Sequence, residues 1–422
     1  MLSREIFNLP LTPAGQGGMR GKGGFVLFLS LVVMIALTVI GGGLAVLLAT
    51  NYRNAAIQAN DAKAFWLAEA GIADGTKQLI RGDIVLADGE SATIGTEGSP
   101  NSLGDGVYWV SLSRSGNDVT VTSNGKVNNQ QRQVQIVLTS RFPVAFNYAV
   151  FGSNTNDKTL SIGENNAATV SISGDLFYDA TTGTDTVRVR DNSEVINGLV
   201  YADAVIGGGT YTPATSDPSP IPKYPNFTST FYDDAIADAQ ANASSNLVLS
   251  GTSNLNLSGG TVYYKLVTVK DSASITGPGT IVSTRAFDVK NSASIGSNVT
   301  IIVEDTITFE NNATVSSGGR VYATNNILLH DDVVVSSILL APNAGKKIRI
   351  HNNAQFTGIL YTNTADILNN AVITGSIVAN QFTNNNIADN AHVTFDANVI
   401  PTAVTGIVEE FTQKADSWNE TT

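Results

Sequence analysis

One five-residue pattern returns down the second half of this chain: a polar pair, a small residue, any residue, then a β-branched or aromatic one. It reads Asp271-Ser272-Ala273-Ser274-Ile275, Asn291-Ser292-Ala293-Ser294-Ile295 and Asn311-Asn312-Ala313-Thr314-Val315, and continues with Asp331-Asp332-Val333-Val334-Val335 and Asn352-Asn353-Ala354-Gln355-Phe356. Asn369-Asn370-Ala371-Val372-Ile373 and Asp389-Asn390-Ala391-His392-Val393 complete it, and the third residues advance in steps of 20, 20, 20, 21, 17 and 20. A fixed period of this length marks a solenoid. Three strands of about four residues with their turns fill one coil of a parallel β-helix. Segments such as Thr280–Ser283 and Ala286–Val289 read as strands within a coil, whereas the fixed leucines of a leucine-rich repeat are missing. The Asn/Asp pairs then fall at one corner, where their side chains can bond along the axis as a ladder, and the β-branched residues stack inward. Copies at Asn165-Asn166-Ala167 and Asp191-Asn192-Ser193-Glu194-Val195 place the start near Ala149, so the solenoid is assigned to 145–400. Pro213, Pro218, Pro220, Pro222 and Pro225 interrupt it, and Ser229–Ala243, with Phe231, Ile236 and Ala239, reads as a helix; 210–245 is an excursion lying on the solenoid or capping it.

The other strong constraint lies at the N-terminus. No charged residue occurs from Gly23 to Thr50, and Phe25–Leu48 is almost continuously apolar. Such a run is longer than the roughly 20 residues a membrane helix needs and twice the core of a secretory signal peptide. Arg20 and Lys22 precede it and Arg53 follows, so the flanks tip the N-terminus modestly toward the cytoplasm. The segment from Asn54 to Ile80 stays free of proline and rich in alanine, with Ile57, Phe65, Ala68, Ile72 and Leu79 near helical spacing. One long helix over 25–80 is expected, its second half resting on a sheet. Gly41, Gly42 and Gly43 inside the span read as a site of close helix packing in lipid, with local unwinding as the alternative. The sheet is expected at 105–140 as a three-stranded antiparallel meander, Val107–Leu112, Asp118–Ser123 and Gln131–Leu138, with turns at Ser115-Gly116-Asn117-Asp118 and Asn124-Gly125.

Arg20-Gly21-Lys22-Gly23-Gly24 followed by Phe25 resembles the class III leader of type IV pilins, which a prepilin peptidase cuts between glycine and phenylalanine, here Gly24 and Phe25. Ala64-Phe65-Trp66-Leu67-Ala68-Glu69-Ala70-Gly71-Ile72 is similar to the helix segment of PilX-like minor pilins. The resemblance covers residues 1 to about 140. It implies a pilin-like helix-plus-sheet module, a leader over 1–24, and helix packing through Leu29, the three glycines, Phe65 and Glu69. Most pilins carry a glutamate where Leu29 stands; its loss implies a tip or initiation position, which has no neighbour above it to pair with. Ser417-Trp418-Asn419-Glu420 is similar to a terminal Trp-Arg-Glu segment, and the tail 401–422 is expected to cap an open coil.

A net charge of −12 argues against nucleic acid as a partner, and the absence of cysteine removes disulfides and thiolate chemistry. Parallel β-helices include polysaccharide lyases and hydrolases, which need clustered carboxylates or a calcium site with a strong base. Asp331 and Asp332 with His330, and His351 one coil on, form the tempting cluster; the histidines hold a turn position occupied elsewhere by Lys270, Lys290 and Glu310, so a solvated corner is favoured. Asp233 and Asp234 are expected to open the 229–243 helix, whose positive dipole end favours them. The fold class is mainly β with a long N-terminal helix. The expected function is a non-enzymatic minor pilin-like subunit, without cofactor or metal, held in the bacterial inner membrane with its C-terminal domain outside the cytoplasm. Its expected partners are other pilins and minor pilins, and a pilus-tip adhesin, surface or glycan for the head. Two rivals stay open: a membrane-anchored polysaccharide-active enzyme, and a bactofilin-like scaffold that polymerises end to end.

Overall fold

The apolar residues and the alanine-rich stretch after them form one uninterrupted helix, α1, Gly23–Arg81. It runs through Gly41-Gly42-Gly43 without a break, at about 1 kcal/mol per glycine relative to alanine. The computed structural model describes residues 23–422 apart from 82, 85, 87, 88, 154–158, 164–168, 180–184, 220, 402, 403, 416 and 422, and apart from the side chains of 384–386 and 421. Most of the leader and the repeat copy at 165–167 lie outside the described residues.

The last third of α1 packs on an antiparallel sheet larger than the expected meander. Its strands are β1 (Ser91–Ile94), β2 (Asn101–Leu103), β3 (Gly106–Ser115), β4 (Asp118–Val127) and β5 (Gln130–Arg141), with β3, β4 and β5 the three read from sequence. The alternation of β4 is complete, buried residues taking every second place from Val119 to Val127, because one face meets α1. The C-terminal tail supplies the rest: Glu410–Gln413 and Asn419–Thr421 pair antiparallel with β5. The expectation that the tail caps an open coil is therefore corrected. The outer edge of β5 offered unpaired backbone groups, and the tail satisfies them. Glu409 anchors it, accepting bonds from Arg114 Nη1 (2.9 Å) and Ser140 Oγ (2.6 Å), and Lys414 reaches Asp118 at 2.8 Å.

The remainder is a parallel β-solenoid of about 11 turns. The seven repeats from Asp271 to Asn390 each turn the corner on the polar pair, with both residues in the left-handed region, as at Asn352 (φ 54) and Asn353 (φ 63), whereas the copy at Asp191-Asn192 does not. Asn and Asp tolerate that conformation because their short polar side chains bond locally, and here they bond along the axis. Asn352 Nδ2 donates to Asp331 Oδ1 (3.0 Å) and Asn369 Nδ2 to Asn352 Oδ1 (3.2 Å). A second file joins Asn353 to Asp332, Asn370 to Asn353 (3.0 Å each) and Asn390 to Asn370 (3.2 Å). Inside, Ile275, Ile295, Val315, Val335, Phe356, Ile373 and Val393 lie one above another, nearly or fully buried.

The coils do not stack in chain order. The outward file on the third face runs Tyr263, Val282, Ile302, Tyr322, Leu340, Tyr361, Val378 and then Phe151, Phe177, Tyr201. The first coils of the domain therefore rest on its last coil, and the chain must travel back along the stack before beginning again at Leu247. The proline-rich segment and α2 (Thr230–Asn242) make that crossing. They cover the apolar third face: Tyr232, Ile236 and Ala239 of α2 join Phe146, Val404 and Ile407 in a second core over the outward file. Tyr232 stacks on Tyr322 with ring centroids 4.1 Å apart. The excursion is a strap along the solenoid, and Phe231, expected inside, is 49% exposed while its neighbour Tyr232 is buried.

Candidate functional site

Two features stand apart from ordinary packing: the free portion of α1 and a charged cluster on the solenoid. Residues 25–59 are exposed without exception, a rod of about 50 Å. Its most apolar 18-residue window has a mean hydropathy of 2.7, and α1 is long and apolar enough to cross a membrane. Leu29 and Gly41–Gly43 lie on this rod, and a Cβ added at any of the three glycines would meet nothing within 4 Å. Phe25 begins the exposed run at 70%.

Lower down, Ala64, Leu67, Ala68, Gly71, Ile72, Gly75 and Leu79 face the sheet. Small residues at 64, 68, 71 and 75 let the helix backbone approach closely. A Cβ at Gly71 would lie 2.1 Å from Ser123 Oγ, and one at Gly125 of β4 would lie 2.1 Å from the Ala64 carbonyl and 2.5 Å from the Ala68 nitrogen. The Ala-Glu-Ala-Gly segment thus has a local physical cause, in that Ala68 and Gly71 are contact positions. Phe65 is half-buried beside the core, Glu69 flanks it, and Trp66 is 65% exposed. Arg132 of β5 forks onto Asp61 of α1 at 2.6 and 2.5 Å, which helps fix where the rod leaves the sheet.

On the solenoid, Asp331 and Asp332 accept from Asn352 and Asn353 of the next coil, so both carboxylates belong to the corner ladders. His330 and His351 lie one above the other with ring centroids 5.7 Å apart. Sequence reasoning missed their companion Asp366, whose side chain is 1% exposed and accepts from Arg349 Nε at 2.8 Å. His351 Nε2 lies 3.4 Å from its other oxygen. Burial opposes ionisation of Asp366, but the close approach of His351 and the hydrogen bond and charge of Arg349 outweigh it and hold its pKa below the usual carboxylate range. Burial, helped by the charges of His351 and Arg349, lowers the pKa of His330. Asp366 sits outside the repeat motif, three residues before the uncharged Asn369-Asn370 pair, so no sequence signal pointed to it. Asp233 stands in the first turn of α2, where Ser229 Oγ donates to it at 2.5 Å. Among the described residues no group of three or more His, Asp or Glu converges on a point that could hold a metal.

No family model matches the chain, and no curated protein matches it. Among solved structures it is similar to the competence-associated pilin ComZ of Thermus thermophilus, at 13% identity over 86% of this chain and 97% of the other, with a TM-score of 0.23. It is also similar to an ice-binding protein of the Antarctic ascomycete Antarctomyces psychrotrophicus, at 16% identity over 61% and 98%, with a TM-score of 0.23.

Proposed function

We propose that the chain is a membrane-anchored, non-enzymatic minor pilin-like subunit that carries a β-solenoid head for surface recognition or display. The observation that carries this reading is α1 itself: one continuous helix whose apolar first half is exposed among the described residues and whose second half packs on a sheet. An unpaired apolar rod of this size requires lipid or similar helices around it. A head joined by a continuous helix, rather than a flexible linker, keeps a defined position relative to whatever holds the rod. The leader-like Gly24-Phe25 junction and Leu29 support a place in assembly of a type IV filament, at its tip or its priming complex, with other pilins as neighbours. The carboxylates at Asp331 and Asp332 serve the corner ladders, which favours a structural head over a glycan-cleaving one.

The intact mass of the membrane-extracted protein tests the assignment. A chain beginning at Phe25 is expected from processing by a prepilin peptidase. A chain retaining residues 1–24 in a cell that processes its other prepilins would overturn the filament reading.

A further inference from the structure

The two ends of the solenoid are finished differently. At one end, beyond Ala204–Ile206, the chain folds over the last coil: Val195 N donates to Thr210 O (2.8 Å), Val200 N donates to Thr212 O (2.9 Å), and Tyr211 rests on the core. Pro213, which has no N–H, sits on that edge opposite Val200. Charge lies in the strands of this end, with Arg188 in register with Ile206 and Asp203 directly before Ala204.

Among the described residues, the opposite end has none of these devices. Its strands, Leu247–Leu249, Asn254–Asn256 and Thr261–Tyr264, have register partners on one side only, in the coil of Val267, Ile275 and Ile281. Leu247, Leu249, Leu255 and Val262 continue the inner stacks yet are only partly buried, while Val267, Ile275 and Ile281 one coil deeper are fully buried. Residues 243–264 contain no charge and no proline. Natural edge strands are normally blunted by such residues, and this chain blunts its other end, so the bare coil is a surface kept open for backbone pairing.

We infer that the bare coil at 247–264 docks against the same coil of a second copy of this chain, forming a two-fold head-to-head dimer. A two-fold axis across the solenoid sets one strand edge antiparallel to its own copy and the other two antiparallel to each other, and their free N–H and C=O groups can pair for any sequence. An uncharged edge meets its own copy without repulsion, whereas selection of a different protein would call for charge complementarity that 243–264 does not carry. The closed opposite end stops growth at two copies instead of a fibre. One coil end buries about 1,000 Å² in total, at the foot of the range for specific interfaces, so the contact is weak in dilute solution and fills when copies share one membrane or filament.

The test uses the full chain in detergent micelles, relying on its lack of cysteine. Asn254→Cys at the bare end and Ile206→Cys, at a position 40% exposed at the closed end, are treated with a short bismaleimide. The inference expects at least tenfold more covalent dimer from Asn254→Cys. It also expects sedimentation equilibrium to show a dimer that weakens at least tenfold on Val248→Lys, a position already 59% exposed, with hydrogen exchange in the inner coils unchanged. Equal cross-linking at both ends, no dimer at either, or a dimer indifferent to Val248→Lys would overturn it. Association through α1 alone would give that indifferent dimer and so leaves a different signature.

Discussion

Gly125→Ala should pry α1 from its sheet. The added Cβ would lie 2.1 Å from the Ala64 carbonyl and 2.5 Å from the Ala68 nitrogen, where ordinary contact begins at 3.4 Å. Both obstacles are helix backbone, which cannot rotate aside, so the helix must retreat by about 1 Å, forfeiting a quarter to a half of each dispersion contact across the gap. Leu67, Ile72 and Leu79 are buried in that interface, each worth about 1.5–3 kcal/mol, so a quarter of their sum is about 1–2 kcal/mol. Overpacking strain adds about 1–3 kcal/mol, and the stiffer unfolded chain returns less than about 1 kcal/mol. The net expectation is a loss of about 2–4 kcal/mol, confined to the helix-and-sheet module. Hydrogen exchange of the full chain in detergent reads it out: protection should fall over 64–81 and over β4 while the solenoid coils keep theirs. Gly98→Ala is the control, because its Cβ would meet nothing within 4 Å. Unchanged protection of 64–81 in Gly125→Ala would refute the close-approach account.

Asn353→Ala removes two ladder bonds and forces alanine to a φ of 63°, so it should cost about 2–4 kcal/mol, and Asn353→Gly, which keeps only the backbone freedom, about half of that by chemical denaturation. His330 has a folded pKa below its ordinary value, so the unfolded chain binds protons first and the head should lose stability as pH falls below about 6.5. His330→Gln should flatten that slope in thermal melts between pH 7 and 5; an unchanged slope would count against the assignment. Arg114 and Glu409 are each 11% exposed, so Arg114→Ala strands a nearly buried carboxylate, costs about 3 kcal/mol, and should release the 409–421 tail to proteolysis before the solenoid is cut.

The parts of this fold that were legible in the sequence are those fixed by short-range repetition. The period of twenty exists because Asn and Asp hold a left-handed corner and bond their counterparts one coil away, so residues 271–393 announced the coil directly. The exposed apolar run before Arg53 likewise needed only counting. What stayed hidden depends on contacts between distant segments. Nothing local to Val150 or Phe151 says that they follow Ile377 and Val378 in the stack, since every coil presents the same apolar strand to either neighbour. The tail was expected to cap a coil from its Trp418 segment, and its true place depends on an open edge of β5 far away in sequence. Of the site, Leu29, the three glycines and the histidine pair were visible as residue types; Asp366 was not, because its partners Arg349 and His351 reach it only across adjacent coils.

The claim on which everything else depends is that residues 25–50 occupy lipid while the solenoid stays in water. In a chain without cysteine, Leu37→Cys and Thr314→Cys can be compared in sealed membrane vesicles and cells using a membrane-impermeant maleimide and a lipid-phase quencher of an attached fluorophore. The account predicts that Leu37→Cys resists the impermeant reagent and, once labelled by a permeant one, is quenched from lipid, whereas Thr314→Cys reacts from water and is not quenched. Equal reaction of both positions from water would contradict it.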